Sequence, residues 1–343
     1  MSKKNIHDVA KHAGVSIKTV SRVINSEPNV RDKTRDVVLK AISELNYRPN
    51  ASARTLKGRR SYLVGLLYDN PSSSYVSNVQ QGVIEQTRAR GYDLLIHPCD
   101  YQNPELIQQI EALVRHSNAD GIILTPPLCD DTKLTGLLDK LSTPYVRISP
   151  EQAVNGSSSV HTNDRAAVAD LTLYLASLGH RRIAFIIGHP DHKAVGLRYL
   201  GYQDGLAASG IKFSKNLVMQ GSNSFQSGEE CARKLLLGKP RPTAIIASND
   251  DMATGVLRVA HEMQIPIPQQ LSVAGFDNVP IASQVWPSLT TVNQPIQKMG
   301  DVATDLLISK LHNPKLKNTA VQIDSHLVLR ESTGTCAEQA EDS

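Results

Sequence analysis

Apolar residues recur at helical spacing from the start of the chain to residue 45. Ile6, Val9, Ala10 and Ala13 mark one helix, Gly14 interrupts it, and Ser16 stands where an N-cap would open a second helix that turns Val20, Val23 and Ile24 inward. A third period, Thr34, Val37, Val38, Ala41, Ile42 and Leu45, closes a small three-helix unit. Arg48-Pro49 then stops the pattern, Asn50 can cap a short new helix, and Gly58 sits where that helix would end. Its apolar stripe is only Ala53 and Leu56, too little to hold it folded alone, so the segment needs a partner.

After Gly58-Arg59-Arg60-Ser61 the texture changes to short apolar runs separated by helical stretches. Runs at 63–67, 92–96, 121–124 and 145–148 predict buried parallel strands, with helices near 74–90, 104–116 and 131–141 between them. A second series follows the Gly156-Ser157-Ser158-Ser159 loop, with strands at 182–187, 217–219, 244–247 and 272–276 and helices near 164–178, 196–209, 227–237 and 251–263. Two α/β lobes of this kind predict a cleft between them.

The second helix carries the first candidate chemistry. Its outward positions, Ile17, Lys18, Ser21, Arg22 and Asn25, are mostly hydrogen-bond donors. In the major groove of DNA, Arg22 could fork onto a guanine and Lys18 could donate to O6 or N7; the competing explanation is an ordinary solvated helix face. Charge sharpens the picture. Residues 1–60 hold 14 Lys/Arg against 5 Asp/Glu, a balance of +9, which leaves 23 against 28, or −5, for the rest of a chain whose net charge is +4. A basic end suits a polyanion and the remainder suits an ordinary globular body.

Residues 4–60 resemble the DNA-binding head and hinge of the lactose/galactose repressor (LacI) family. The matching residues are Asp8-Val9-Ala10, Ala13-Gly14-Val15-Ser16, Thr19-Val20-Ser21-Arg22-Val23, Thr34-Arg35, Leu45-Asn46-Tyr47 and Pro49-Asn50. The resemblance implies that Ile17, Lys18 and Arg22 read bases while Ser21, Asn25, Thr34, Tyr47 and Asn50 hold the backbone. It also implies that Ala53 and Leu56 lie on paired hinge helices, with Leu56 wedged between base pairs of the minor groove. Arg31 departs from the family's small hydroxyl cap on the third helix, which frees it for a phosphate. Leu178-Gly179-His180-Arg181-Arg182-Ile183, Arg198-Tyr199-Leu200-Gly201-Tyr202, Ser248-Asn249-Asp250-Asp251-Met252-Ala253, Val273-Ala274-Gly275-Phe276-Asp277-Asn278 and Leu289-Thr290-Thr291-Val292 are similar to the family's effector-binding core. The similarity thus runs over about residues 4–333.

The expected fold is an N-terminal all-α helix-turn-helix head plus hinge helix, followed by a periplasmic-binding-protein-like α/β core of two doubly wound parallel-sheet lobes. The expected boundaries are 1–47 for the head, 48–60 for the hinge, 61–334 for the core and 335–343 for a tail. The first lobe would take about 61–160 and 292–322, the second about 161–290 and 323–334, with crossings near 160, 290 and 323 and the helix at about 295–312 returning to the first lobe.

Ligands in such sheets sit beyond the carboxyl ends of the strands. That rule selects Asp69, Asn70, Ser74 and Tyr75 in the first lobe, and the resemblance adds Arg198, Asn249 and Asp277 in the second. An arginine donor with Asp and Asn makes a set suited to vicinal hydroxyls, hence a sugar. Arg198 could instead form a structural pair with Asp277 or another cleft acid, and Asp277-Asn278 could be a plain turn. Asn223 stands where many relatives carry an aromatic that stacks on the effector. His189-Pro190-Asp191-His192 lacks a third ligand at zinc spacing and fits a cleft-lining loop better, with His192 as a donor.

Cys99, Cys129, Cys231 and Cys336 are too far apart for a metal or redox pair and read as reduced thiols. No nucleophile elbow, phosphate loop or HExxH pattern is present, and no cofactor is expected. Lys3-Lys4 leads into an amphipathic helix rather than a signal peptide, which predicts a cytoplasmic protein. The tail lacks an apolar heptad, so a homodimer is expected, bound to a pseudo-palindromic operator as a repressor under a small-molecule effector. The alternative is a sugar receptor or carbohydrate-processing enzyme with an incidental basic head.

Overall fold

The computed structural model describes residues 4–24, 30–45, 47, 60–152 and 156–336. Asn25, Asn50, Ala53 and Leu56 lie outside the described residues. The chain divides into two units, residues 1–62 and 63–343.

In the first unit α1 (Ile6–Ala13), α2 (Ile17–Ile24) and α3 (Asp32–Glu44) enclose Val9, Ala10, Val20, Val23, Val38 and Ala41. Asn5 caps α1 by accepting from the His7 and Asp8 amides at 2.8 and 3.2 Å, and Asp8 returns the contact by accepting from the Asn5 amide at 2.9 Å. Gly14 takes the left-handed conformation (φ 64°) that ends α1. Ser16 Oγ accepts from the Thr19 amide at 3.1 Å, the expected start of α2. Arg31 precedes α3 and makes no side-chain cap. One expectation fails: Val37 is 45% exposed, because the adjacent Val38 takes the inward position and a helix turns consecutive residues about 100° apart.

The second unit holds two six-stranded sheets. The first contains β1 (Leu63–Tyr68), β2 (Asp93–Pro98), β3 (Gly121–Leu124), β4 (Tyr145–Ile148) and β5 (Ser158–Thr162), with α4 (Ser73–Ala89), α5 (Leu106–Ser117) and α6 (Thr132–Lys140) between them. The second contains β6 (Ile183–Ile187), β7 (Val218–Gln220), β8 (Ala244–Ala247), β9 (Ser272–Asp277) and β10 (Thr290–Asn293), interleaved with α7 (Asp164–Ser177), α8 (Ala194–Ala208), α9 (Phe225–Leu237), α10 (Asp250–Glu262) and the short α11 (Ile281–Gln284). The chain then returns through α12 (Ile296–His312) and β11 (Ala320–Ile323) to the first sheet and ends with β12 (His326–Val328) in the second.

Strand orders are β2-β1-β3-β4-β5-β11 and β7-β6-β8-β9-β10-β12, all parallel except the β10–β12 pair. Order reverses beside β1 in one lobe and beside β6 in the other, and these switch points open the crevice at the strand ends. Ser158 and Ser159, expected to lie in a loop, open the strand β5. Its serines and threonine hide it from a hydrophobicity pattern, and it forms because β4 and β11 flank it on both edges.

Strands such as β3 and β8 are buried throughout because helices cover both faces. Leu171, Leu175, Phe185, Tyr202, Leu206 and Phe276 pack α7 and α8 on the second sheet, where Tyr202 donates its buried hydroxyl to the Ile183 carbonyl at 2.8 Å. On the first lobe α4 and α12 touch backbone to backbone: a Cβ on Gly82 would collide with the Gln297 carbonyl and lie 2.9 Å from the Asp301 amide. No helix among the described residues is long and apolar enough to cross a membrane.

Candidate ligand cleft and nucleic-acid interface

The loops leaving β1, β3, β4, β6, β7, β8, β9 and β10 meet around one cavity between the lobes. The first lobe contributes Asn70, Ser72, Tyr75, Pro126 and Ser149; the second contributes His192, Ala194, Val195, Arg198, Asn223, Asn249 and Asp277; Gln294 comes from the crossing after β10. Seven of the nine cleft residues selected from the sequence are therefore brought together. Asp69 and Ser74 are not on this wall. Asp69 Oδ2 accepts from the Tyr101 amide at 2.8 Å, and the Ser74 carbonyl accepts from Asn78 Nδ2 at 2.9 Å.

Arg198 is the charged centre. It is 7% exposed, its guanidinium carbon lies 3.7 Å from the centre of the Phe276 ring, and its Nε donates to Asp164 Oδ2 at 2.8 Å. Nη1 donates to the Ser248 carbonyl at 2.5 Å and lies 3.7 Å from Asp277 Oδ1, close enough for attraction but not for a hydrogen bond. Burial works against the charge on Arg198, but Asp164 and Asp277 outweigh it and hold the guanidinium above its ordinary pKa. Asp277 is the converse case: burial pushes its carboxyl well above the usual range, against the pull of Arg198. Its φ of 110°, followed by 56° at Asn278, is a conformation that L side chains rarely adopt, and such strain concentrates at functional sites.

Asn249 caps α10 by accepting from the Met252 amide at 3.0 Å and donates to the Asn223 carbonyl at 2.9 Å. Asn223, at φ 61°, accepts from the His189 amide at 3.1 Å, and its Nδ2 lies 3.3 Å from His192 Nδ1. Burial, then His189 and Arg198, lowers the His192 pKa to about 3, so this ring is neutral. Asn223 thus braces the His189–His192 loop.

Four buried polar atoms of the cavity wall have no hydrogen-bond partner: Tyr75 OH, Ser149 Oγ, Asp277 Oδ1 and Gln294 Oε1. Sequence reasoning missed Ser149, Gln294 and Asp164. Ser149 and Gln294 obey the strand-end rule and were detectable by applying it to every strand; Asp164 obeys it too, two residues beyond β5, but was out of reach because the polar β5 was not read as a strand.

In the first unit Lys18 is exposed on α2, Ser21 and Arg22 are half-buried, and Ile17 packs partly against the head core rather than facing fully outward. Arg31 is exposed before α3 and Thr34 is half-buried within it. The Tyr47 amide donates to the Ile42 carbonyl at 3.0 Å, which folds the chain back onto α3.

Comparison with known proteins follows the same division. The model of bacterial regulatory proteins of the lacI family matches residues 5–50, and that of a periplasmic binding protein-like domain matches residues 172–333. The ribose operon repressor of Escherichia coli (strain K12) is 32% identical over 328 residues, 95% of this chain and 98% of the relative. The lac repressor dimer bound to operator and the anti-inducer ONPF shares 26% identity at a TM-score of 0.77 over 97% of this chain and 100% of its own. A complex of the transcriptional regulator CelR with cellobiose shares 29% at a TM-score of 0.75 over 96% and 99%. The matches run along nearly the whole length of the chain, and the chain belongs to the lacI family of DNA-binding transcriptional regulators.

Proposed function

We propose that this chain is a cytoplasmic, non-enzymatic repressor. It binds a pseudo-palindromic operator as a homodimer through residues 1–47, with 48–60 as the hinge, and senses a sugar or related polyol in the cleft of its 61–334 core. The family relation supports the DNA-binding half. Supporting the sensing half, the unpartnered Tyr75 OH, Ser149 Oγ, Asp277 Oδ1 and Gln294 Oε1 line the same cavity as Arg198. Each buried, unsatisfied polar atom costs about 1–3 kcal/mol. A molecule carrying several hydroxyls, each able to donate and accept, relieves them together. Relatives with ribose and cellobiose in their names or complexes favour the same class.

The cavity as it stands is about 30 Å³, while small-molecule pockets run to about 300–1,000 Å³. Ligand entry therefore requires the lobes or the polar side chains to shift. The lobe shift moves the two cores of the dimer and unpairs the hinge helices, which releases DNA.

Coupling of this kind is reciprocal. A saturating palindromic operator should weaken effector binding by the same factor by which the effector weakens operator binding, as measured by titration calorimetry with and without DNA. Equal effector affinities in the two titrations would refute the mechanism.

A further inference from the structure

A second, larger cavity of about 460 Å³ lies against the cleft. Asp277 and Gln294 line both, so these two side chains form the partition between them. The outer cavity is walled by Asn78 and Glu85 of α4, by Asn278 and Asn293, and by the first turns of α12 from Ile296 to Asp301.

Its chemistry is that of a carbohydrate site. No side chain caps α12; the Ile296 amide donates to the Gln294 carbonyl at 2.8 Å, which leaves the next amides of the first turn without a side-chain cap. On the partition, Asp277 and Gln294 are 5% and 3% exposed, and Oδ1 of one and Oε1 of the other are buried acceptors without partners. The wall adds the amides of Asn78 and Gln297, with the Gln297 Nε2 donating to Glu85 Oε2 at 2.9 Å. Lys298 is the only cation on this wall among the described residues, and it is paired with Asp301, so Glu85 leaves a negative excess. Anions are disfavoured there despite the helix N-terminus.

We propose that this outer cavity is a second sugar subsite, so that the effector is a neutral di- or oligosaccharide with one ring beside Arg198 and the next beyond Asp277 and Gln294 in the groove of α4 and α12. The inference rests on the sugar-sensing reading above and narrows its ligand class. The inner space is too small for two rings, whereas the outer space has room for one without moving any strand.

The test is calorimetry on the full-length protein with maltose, cellobiose, lactose, gentiobiose and sucrose, their constituent monosaccharides, and glucose 6-phosphate and gluconate as anionic controls. At least one disaccharide should bind tenfold or more tightly than every monosaccharide, and both anions should bind more weakly than glucose. Gln297→Trp, which fills the outer cavity from an exposed position, should weaken the preferred disaccharide at least tenfold and leave its inner monosaccharide and operator binding within twofold. Gln297→Ala should weaken the disaccharide by a smaller factor. A monosaccharide that matches every disaccharide, or equal losses for both in Gln297→Trp, overturns the subsite while sugar sensing stands. No binding by any sugar overturns both.

Discussion

Replacing Arg198 by Met tests whether the centre of the cleft is built on charge. Met keeps an unbranched apolar side chain of similar length, but it removes the guanidinium and with it the stacking of that group over Phe276. What is lost is the bond to Asp164 at 2.8 Å, the bond to the Ser248 carbonyl at 2.5 Å and the attraction to Asp277 at 3.7 Å. Asp164 and Asp277 are 3% and 5% exposed, so neither can turn to water for compensation. Breaking a buried ion pair from one side costs about 3–5 kcal/mol, a large share of the roughly 5–15 kcal/mol that holds a domain folded.

The cost should depend on pH, with a definite sign. Asp277 already has its folded pKa raised, chiefly by burial, and Arg198 is the main influence pulling it down. Without Arg198 the folded pKa rises further. An acid with a folded pKa above its unfolded value holds more protons in the native state, so stability falls as pH rises through the window between the two values. Urea unfolding of Arg198→Met should therefore show a loss at pH 8 larger than that at pH 5 by 1 kcal/mol or more, by order of magnitude. Adding Asp164→Asn should recover part of it, and effector binding should fall at least a hundredfold. A loss below about 1 kcal/mol at pH 8, or one independent of pH, would show that the pair is not charge-compensating and would defeat the reasoning.

Two further outcomes follow from buried groups outside the cleft wall. Asp250 is fully buried, accepts from Thr291 Oγ1 at 2.6 Å and from the Val279 amide at 2.9 Å, and is raised by burial to about 7. Its contribution therefore favours the fold at low pH and is lost as pH rises from about 4 to about 7. Asp250→Asn can keep both hydrogen bonds, since the Thr291 hydroxyl can rotate to accept, and should flatten that part of the urea-unfolding pH profile; parallel profiles for the two proteins would contradict it. Gly82→Ala should destabilise the core by about 2 kcal/mol or more, because the new methyl meets helix backbone rather than a movable side chain; a change within 0.5 kcal/mol by the same assay would mean that α4 and α12 can part freely.

The parts of the fold legible in the sequence are those held by local pattern. The first-unit helices announce themselves by spacing and by Gly14 and Ser16, and strands such as β3 and β8 by unbroken apolar runs, which arise because helices bury both faces. Val37 misled because two adjacent valines fit one helical stripe on paper while only one fits it in space. β5 was invisible for the opposite reason. Its Ser158 and Ser159 are buried and engaged with the segment leading into β11, as when Ser158 Oγ accepts from the Thr319 amide at 3.1 Å, and that segment lies some 160 residues away in sequence. In the cleft, Arg198 and Asp277 stand in recognisable motifs, but Asp164 acquires its role only from the fold, which sets the start of α7 against the middle of α8.

That contact also explains how a cleft this small can report on ligand. Thr162, the last residue of β5, donates through Oγ1 to Asp164 and accepts from Gln294 Nε2 at 3.3 Å. Asn163 between them accepts from the Ser325 amide at 2.7 Å. The passages of the chain after β10 and after β11 are therefore each hydrogen-bonded to the passage after β5, within two residues of the carboxylate that holds Arg198. A hydroxyl group that competes with Asp164 for the guanidinium, or that satisfies Gln294 Oε1, acts on the crossings directly rather than through either sheet. Sheets resist small deformations because their interiors are close-packed, whereas three short linkers change angle at little cost. A ligand bound as proposed would make its differential contacts where the two lobes are easiest to reorient, and only such contacts can shift a conformational equilibrium.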